Sequence, residues 1–226
     1  MANDLVNTEL QGDVAVVRFD DGKANAISLA SLAALNGALD RVEKEAKSVV
    51  LVGRPGRFSG GFDLKVMGGS DPQAIRDTVK GGAELALRLY DFPLPVVIAC
   101  SGHAIAMGAV LLLAADTRIG MSGEFKIGLN EVAIRLTLPM FATLLASDRL
   151  SRRHLQRATL LAELYDPAGA LDAGFLDRVV APESLVETAI AAANGYAPLD
   201  LQAHRGSKRN LRGPTTLRIR ASIEAM

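Results

Sequence analysis

The stretch Arg57-Phe58-Ser59-Gly60-Gly61-Phe62-Asp63-Leu64-Lys65 follows the apolar run Val49-Val50-Leu51-Val52. The run reads as a buried strand, and Asp63 as a residue able to cap a helix. Between them, two adjacent glycines permit a sharp turn with positive φ and the close approach of a ligand. A strand-to-helix turn of this kind offers two free backbone N–H groups to an anion or oxyanion. A second small-residue turn, Gly102 to Gly108, follows the next apolar strand, Val96 to Cys100. The two turns are expected to face each other across one active site.

Working outward, Asp4 to Leu10 and Val14 to Phe19 read as strands joined by a hairpin at Gln11-Gly12-Asp13. Ser28 is the expected N-cap of a helix reaching about Ala46, with Leu32, Leu35, Leu39 and Val42 at helical spacing. A strand from Ser48 to Gly53 leads into the glycine turn. Downstream, Ser70-Asp71-Pro72 opens a helix to about Tyr90, and Pro93 and Pro95 end it. Met107 to Ala114 is apolar all round and is expected to be a buried helix. Asp116 to Gly120 reads as a strand, and Gly123 to Val132 as a strand or loop carrying Glu131. Short helices are expected from Pro139, Ser151 (as N-cap) and Asp166-Pro167, then a strand at Arg178-Val179-Val180. Helices from Pro182, Pro198 and Pro214 follow. The alternation predicts an α/β core with helices collected at the C-terminus.

The 226 residues suffice for one large domain, and 49% are hydrophobic, enough for a sizeable core. The formal net charge of zero argues against global attraction to nucleic acid. One basic run stands near the C-terminus, from His204 and Arg205 through Lys208, Arg209 and Arg212 to Arg218 and Arg220. It reads as a solvated helix face or subunit contact, or as a site for a polyanionic ligand arm. The single cysteine, Cys100, sits in an apolar run and cannot form an internal disulfide, so no oxidising compartment is needed. Met1 to Asn7 lacks a signal-peptide pattern, and the longest apolar run, Ala104 to Ala115, is too short to span a bilayer. The expectation is a cytoplasmic protein with no membrane or nucleic-acid partner.

Two turns presenting N–H groups suggest an oxyanion hole, which stabilises charge developing on a carbonyl oxygen. A thioester polarised this way acidifies its α-carbon, and the chemistry then needs a base. His103 lies within the second turn, and His154 and His204 have charged neighbours, so all three read as structural or solvated. Glu131 follows Ile127-Gly128-Leu129-Asn130 in an apolar setting. Burial there would raise its pKa and suit it to moving protons near neutral pH. The competing reading is an exposed residue at a helix start.

These features together resemble the crotonase superfamily, the enoyl-CoA hydratase/isomerase family. Phe58 to Lys65 is similar to that family's F-x-x-G-x-D-L-K signature. Ile98 to Gly102 with Ala106-Met107-Gly108 is similar to its second signature, and Asn25-Ala26 to its first loop. The resemblance covers residues 4 to 200 or so. It implies a spiral of ββα units (residues 1–165) and a C-terminal helical trimerisation region (166–226), in a homotrimer or hexamer. It implies an acyl-CoA thioester substrate, with no cofactor beyond the CoA carried by the substrate and no metal. It places the oxyanion donors on the backbone of Phe62 and Met107, and CoA and acyl contacts at Ala24, Ala26, Gly61, Asp63, Leu64 and Val110.

Hydratases of this family use two glutamates, and the resemblance aligns them with Val110 and Glu131. Valine cannot transfer a proton. The segment Ile127 to Glu131 looks instead like that of mitochondrial-type Δ3,Δ2-enoyl-CoA isomerases, in which one glutamate serves. The expected activity is therefore isomerisation of 3-enoyl-CoA to 2-enoyl-CoA. The alternatives are a hydratase working with one glutamate and a non-catalytic acyl-CoA binder. Two departures bear on this. Met107 replaces the usual glycine and is expected to narrow the acyl pocket or strain the turn. Arg135, four residues beyond Glu131, either pairs with it, lowering its pKa, or points to solvent.

Overall fold

In the computed structural model, residues 5–226 are described. The expected first strand from Asp4 therefore begins outside them, and β1 spans Val6–Gln11. β2 (Val14–Phe19) pairs with it antiparallel through the expected Gly12 turn. The chain then repeats one pattern: a strand in a main sheet, a short strand in a minor sheet, then a helix. β3 (Ala26–Ile27) is followed by α1 (Leu29–Glu45). β4 (Ser48–Val52), β5 (Gly56–Ser59) and β6 (Gly61–Phe62) precede α2 (Leu64–Met67) and α3 (Pro72–Tyr90). β7 (Val96–Cys100) and β8 (Gly102–Ile105) precede α4 (Met107–Ala114). β9 (Thr117–Met121) and β10 (Ile127–Gly128) precede a single 3-10 turn (Val132–Ile134) and α5 (Met140–Arg149). This is the ββα spiral. The chain closes with α6 (Arg152–Leu160), α7 (Pro167–Ala173), β11 (Arg178–Val180), α8 (Leu185–Tyr196) and α9 (Leu201–Glu224).

The main sheet has the order β1-β2-β4-β7-β9-β11, parallel from β2 onward. Both faces of its central strands β2, β4 and β7 are covered, and these strands are near-continuous apolar runs. Val14, Val16, Val50, Val52, Val97 and Ala99 face α8. Ala15, Val17, Val49, Leu51, Val96 and Ile98 face the larger core with α1, α3 and α4. Residues 166–226 thus add β11 and α8 to this sheet as well as the long α9. The minor strands form a parallel trio, β10-β8-β5, and a pair, β3-β6. These short strands carry the site, and the glycine-rich turns hid them from the sequence reading. Two or four residues are too few to show a period.

The caps follow the sequence closely. Ser28 caps α1 in a reciprocal box with Ser31, and Asp63, Asp71 and Asp166 accept N–H bonds at the starts of α2, α3 and α7. Ser151 occupies the N-cap position of α6, but its hydroxyl makes no capping bond. The C-terminus corrects two expectations. The separate helices from Pro198 and Pro214 are one helix, capped by Asp200 and running through Pro214. A proline inside a helix costs about 3 kcal/mol, and anchors on both sides of it, Lys208 and Arg212 before and Ile219 and Ile223 after, offset this. Those two cations are not a solvated face. Lys208 Nζ donates to the Phe92 carbonyl (2.9 Å) and Asp116 (2.8 Å), and Arg212 to the Tyr90 carbonyl (2.7 Å) and Asp116 (3.0 Å). Arg205, Arg209, Arg218 and Arg220 are exposed. Among the described residues, no helix is long and apolar enough to cross a membrane.

Candidate active site

The loop after β2 sets the first wall of the site. Asn25 is fully buried with φ +51. Its amide donates to the carbonyls of Phe19 (2.7 Å) and Phe58 (3.2 Å) and accepts the Asp21 N–H (2.9 Å). Asp21 accepts N–H bonds from Lys23, Asn25 and Ala26 at 2.7–2.9 Å. Burial pushes the Asp21 carboxyl up, but those three donors and the Arg54 charge outweigh it and hold it below the usual range. Ser59 Oγ donates to the Asn25 carbonyl at 2.7 Å. The loop is thereby tied to β5, and β3 is laid against β6 with Ala26 opposite Gly61.

The glycine turn is more occupied than its sequence suggests. Gly60 N–H donates to the Ala24 carbonyl (2.8 Å), and Gly61 N–H to Ser59 Oγ (3.2 Å). Only Gly61 has positive φ, +93°. The two glycines therefore offer no free donor. The next residue does. Asp63 N–H bonds to the Ile27 carbonyl (3.0 Å), so by strand alternation the Phe62 N–H points to the opposite side, away from β3.

The second donor comes from the start of α4. The first i→i−4 bond of this helix is from Val110 N–H to the Ala106 carbonyl (3.0 Å), so the Met107 N–H has no partner within the helix. It also sits at the positive end of the helix dipole. The turn that aims it centres on Ala106, at φ +51, ψ −121. Backbone strain in the turn falls on Ala106, the residue before Met107. The Met107 side chain is buried beside Gly82, where a Cβ would come 3.5 Å from its sulfur and 2.5 Å from the Phe62 ring. Gly108 lets α4 close on Ser59, whose carbonyl would stand 2.4 Å from a Cβ there.

Glu131 reaches the same place through β10. Ile127 and Gly128 pair with Ala104 and Ile105, and the Gly128 carbonyl accepts the Ala106 N–H at 3.0 Å. The strand leading to Glu131 is therefore bonded to the turn that aims Met107. A cavity of about 280 Å³ results. Phe62, Met107, Asn130 and Glu131 line it, with Val79, Val110 and Phe141 among its apolar walls. Glu131 Oε2 and Asn130 Oδ1 are both buried without a hydrogen-bond partner. Burial pushes the Glu131 carboxyl above the usual range, offset only in part by its own N–H.

Arg135 takes the solvent option. It is exposed, ends the 3-10 turn in the left-handed conformation (φ +66), and makes no ion pair with Glu131. Ala24, Ala26, Gly61 and Asp63 lie in the bonded ribbon beside the cavity, and Leu64, 80% exposed, stands among its lining residues. The sequence reading assigned no role to Ser59 or Asn130. Both sit inside the motifs it quoted, but their roles depend on partners far along the chain or on the cavity itself.

The other titratable candidates lie outside the cavity lining. His103 Nδ1 accepts the Lys126 N–H (3.0 Å), and buried His154 bonds Asp172 (3.0 Å) and Tyr165 (3.3 Å). His204 is half-buried on α9, outside the cavity lining. Cys100 is buried and its thiol is pushed up to about 12, which makes it inert.

The sequence pattern of the family described as enoyl-CoA hydratase/isomerase matches residues 9–225. The chain is 33% identical over 219 residues to "Enoyl-CoA delta isomerase 1, mitochondrial" of Homo sapiens, covering 95% of this chain and 72% of that protein. It spans 65% of the length of the rat and mouse proteins of the same name. It is 30% identical over 193 residues to a "Putative enoyl-CoA hydratase" of Thermus thermophilus, covering 83% of this chain and 76% of that one. Among solved structures, an enoyl-CoA hydratase/isomerase family protein of Pseudomonas syringae superposes with a TM-score of 0.96 at 44% identity, over 98% of this chain and 96% of that one.

Proposed function

We propose that this chain, which belongs to the enoyl-CoA hydratase/isomerase family, is an isomerase that moves a double bond from C3 to C2 of an acyl-CoA thioester. One observation carries the reading: a single carboxyl, Glu131, with its Oε2 buried and without a hydrogen-bond partner, in an apolar cavity that Val110 also lines. Glu131 takes a proton from C2. The C2–H electrons pass into a dienolate whose oxygen is held by the Phe62 and Met107 N–H groups. The same carboxyl returns the proton to C4, leaving the double bond between C2 and C3. One group suffices because proton removal and return are successive. No cofactor is needed beyond the CoA of the substrate. Hydration must also position and activate a water, which one carboxylate does less well.

CoA is expected to lie along the ribbon from Ala24 and Ala26 to Asp63 and Leu64. A homotrimer or hexamer is part of the proposal, supported by Leu211 and Leu217, which are 78% and 68% exposed on α9. The lone thiol of Cys100 supports a cytoplasmic setting. The second reading, a one-glutamate hydratase, is favoured by relatives that bear that name. A side-by-side assay of 3-hexenoyl-CoA isomerisation and crotonyl-CoA hydration decides. Faster isomerisation supports the proposal, faster hydration replaces it with the second reading, and tight binding without turnover of either marks an acyl-CoA binder.

A further inference from the structure

His204, Lys208 and Arg212 recur every four residues along α9 and so share one face of the helix. Together with Asp116 they line a small pocket of about 210 Å³. His204 is half-buried, and its Nε2 is buried with no hydrogen-bond partner among the described residues. The cations beside it, Lys208 and Arg212, are buried and both bonded to Asp116, one to each carboxylate oxygen. The Asp116 Oδ2 also accepts the Val96 N–H at 2.8 Å. Two cations against one carboxylate leave the cluster positive, and a charged His204 would add a further cation next to Arg205. Charged groups on the elements packed against α9 are engaged elsewhere. Arg88 of α3 pairs with Asp40 (2.6 Å), and Asp91 after α3 accepts the Thr216 hydroxyl (2.7 Å). On α5, Asp148 accepts the Tyr90 hydroxyl (2.6 Å) and Arg149 donates to the Ala115 carbonyl (2.8 Å). Asp116 is thus the carboxylate that acts on the ring. Burial, with Lys208, Arg212 and Arg205, outweighs it and holds the imidazole below its usual range.

We propose that His204 makes the docking of α9 depend on pH: the neutral ring lets the helix lie on the core, and its protonation in mild acid loosens the helix while the main sheet holds. The docked ring binds a proton more weakly than a free imidazole, so undocking takes up a proton once pH falls below the free value of about 6.5. Docking is therefore supported above that value and weakens progressively below it, down to the docked value. One unit below about 6.5, a free ring is protonated about ten times more often than not, so undocking becomes up to about tenfold easier than at neutral pH. The sheet has no such group at its centre: β4 and β7 contain no Asp, Glu or His.

Hydrogen–deuterium exchange of the full chain, read by mass spectrometry and corrected for the intrinsic pH dependence of amide exchange, tests this. Between about pH 7.5 and about pH 5.5, protection of peptides from α9 is expected to fall by roughly five- to tenfold, while that of β4 and β7 changes by less than about twofold. His204→Gln cannot take up the proton, and its α9 protection is expected to stay within about twofold over the same range. His204→Leu is a second variant without a titrating group and serves where the Gln variant does not fold. Unchanged α9 protection in the wild type overturns the proposal, as does an equal fall in the folded variant. A parallel fall in β4 and β7 also overturns it, because the whole chain then opens and not α9 alone.

Discussion

A Cβ atom on Gly61 would lie 3.5 Å from the Met107 backbone nitrogen and 3.0 Å from the Ala106 Cβ. The two turns therefore meet only because residue 61 has no side chain. Gly61→Ala must adopt φ near +93° and push into the space around the second donor. The expected result is a fall in kcat of roughly a hundredfold, the size of losing one oxyanion donor. Steady-state kinetics with 3-hexenoyl-CoA measures it, and CoA affinity by calorimetry is expected to change far less.

Glu131→Gln keeps the shape of the cavity and removes the proposed base. Isomerisation is expected to fall by roughly a thousandfold, with acyl-CoA binding retained. Stability moves the other way. Folding raises the Glu131 pKa by burial, so its contribution to stability is present below the ordinary carboxylate range and is lost as pH rises through the folded value. At neutral pH the buried charge is a cost, and the Gln variant is expected to melt roughly 2–4 °C higher. A melting curve no higher than wild type removes this account of Glu131.

The same shift predicts the pH profile. If Glu131 is the proposed base it must be ionised, so kcat/KM is expected to fall on the acid side as Glu131 is protonated, with its midpoint above the ordinary glutamate value. A midpoint below that value would indicate a cationic partner, such as Arg135, in the working enzyme.

Val110→Glu places a second carboxylate in the cavity. It is expected to raise crotonyl-CoA hydration relative to isomerisation by roughly tenfold or more. The site is fully buried, so the variant is expected to lose about 3 kcal/mol in urea unfolding. An unchanged ratio of the two rates in a folded variant shows that the missing carboxylate does not set the reaction.

Asp116 neutralises two buried cations, Lys208 and Arg212, that hold α9 to the core. Asp116→Ala leaves both uncompensated, which costs about 3–5 kcal/mol and lowers the melting temperature by roughly 10 °C. Scanning calorimetry checks this. A loss under 1 kcal/mol would show that the carbonyls of Phe92 and Tyr90 alone anchor these side chains.

Much of this molecule is legible from short stretches of chain. The apolar runs at Val49 and Val96 form parallel strands buried on both faces, and Ser28, Asp63, Asp71 and Asp166 cap the helices they precede. These features depend on residues a few positions apart, so local rules find them. The minor strands β3 and β6 are not legible in the sequence, and β10 is legible only as a strand or loop, because two-residue segments acquire their identity only from the strand beside them. Pro214 misled for a related reason. Its local preference to begin a helix is overridden by the buried anchors on either side.

Read alone, the chain specifies the order of its elements, the two glycine-rich turns and the apolar neighbourhood of Glu131. Tertiary structure decides the state of each group in the site. Gly60 and Gly61 spend their N–H groups on Ala24 and Ser59, which leaves Phe62 as the donor. Arg135 turns left-handed and outward, which leaves Glu131 unpaired. Lys208 and Arg212, polar by composition, become internal struts. Whether a donor is free, a carboxylate paired or a cation solvated depends on groups brought in from distant positions. A pattern read over neighbouring residues has no access to those partners.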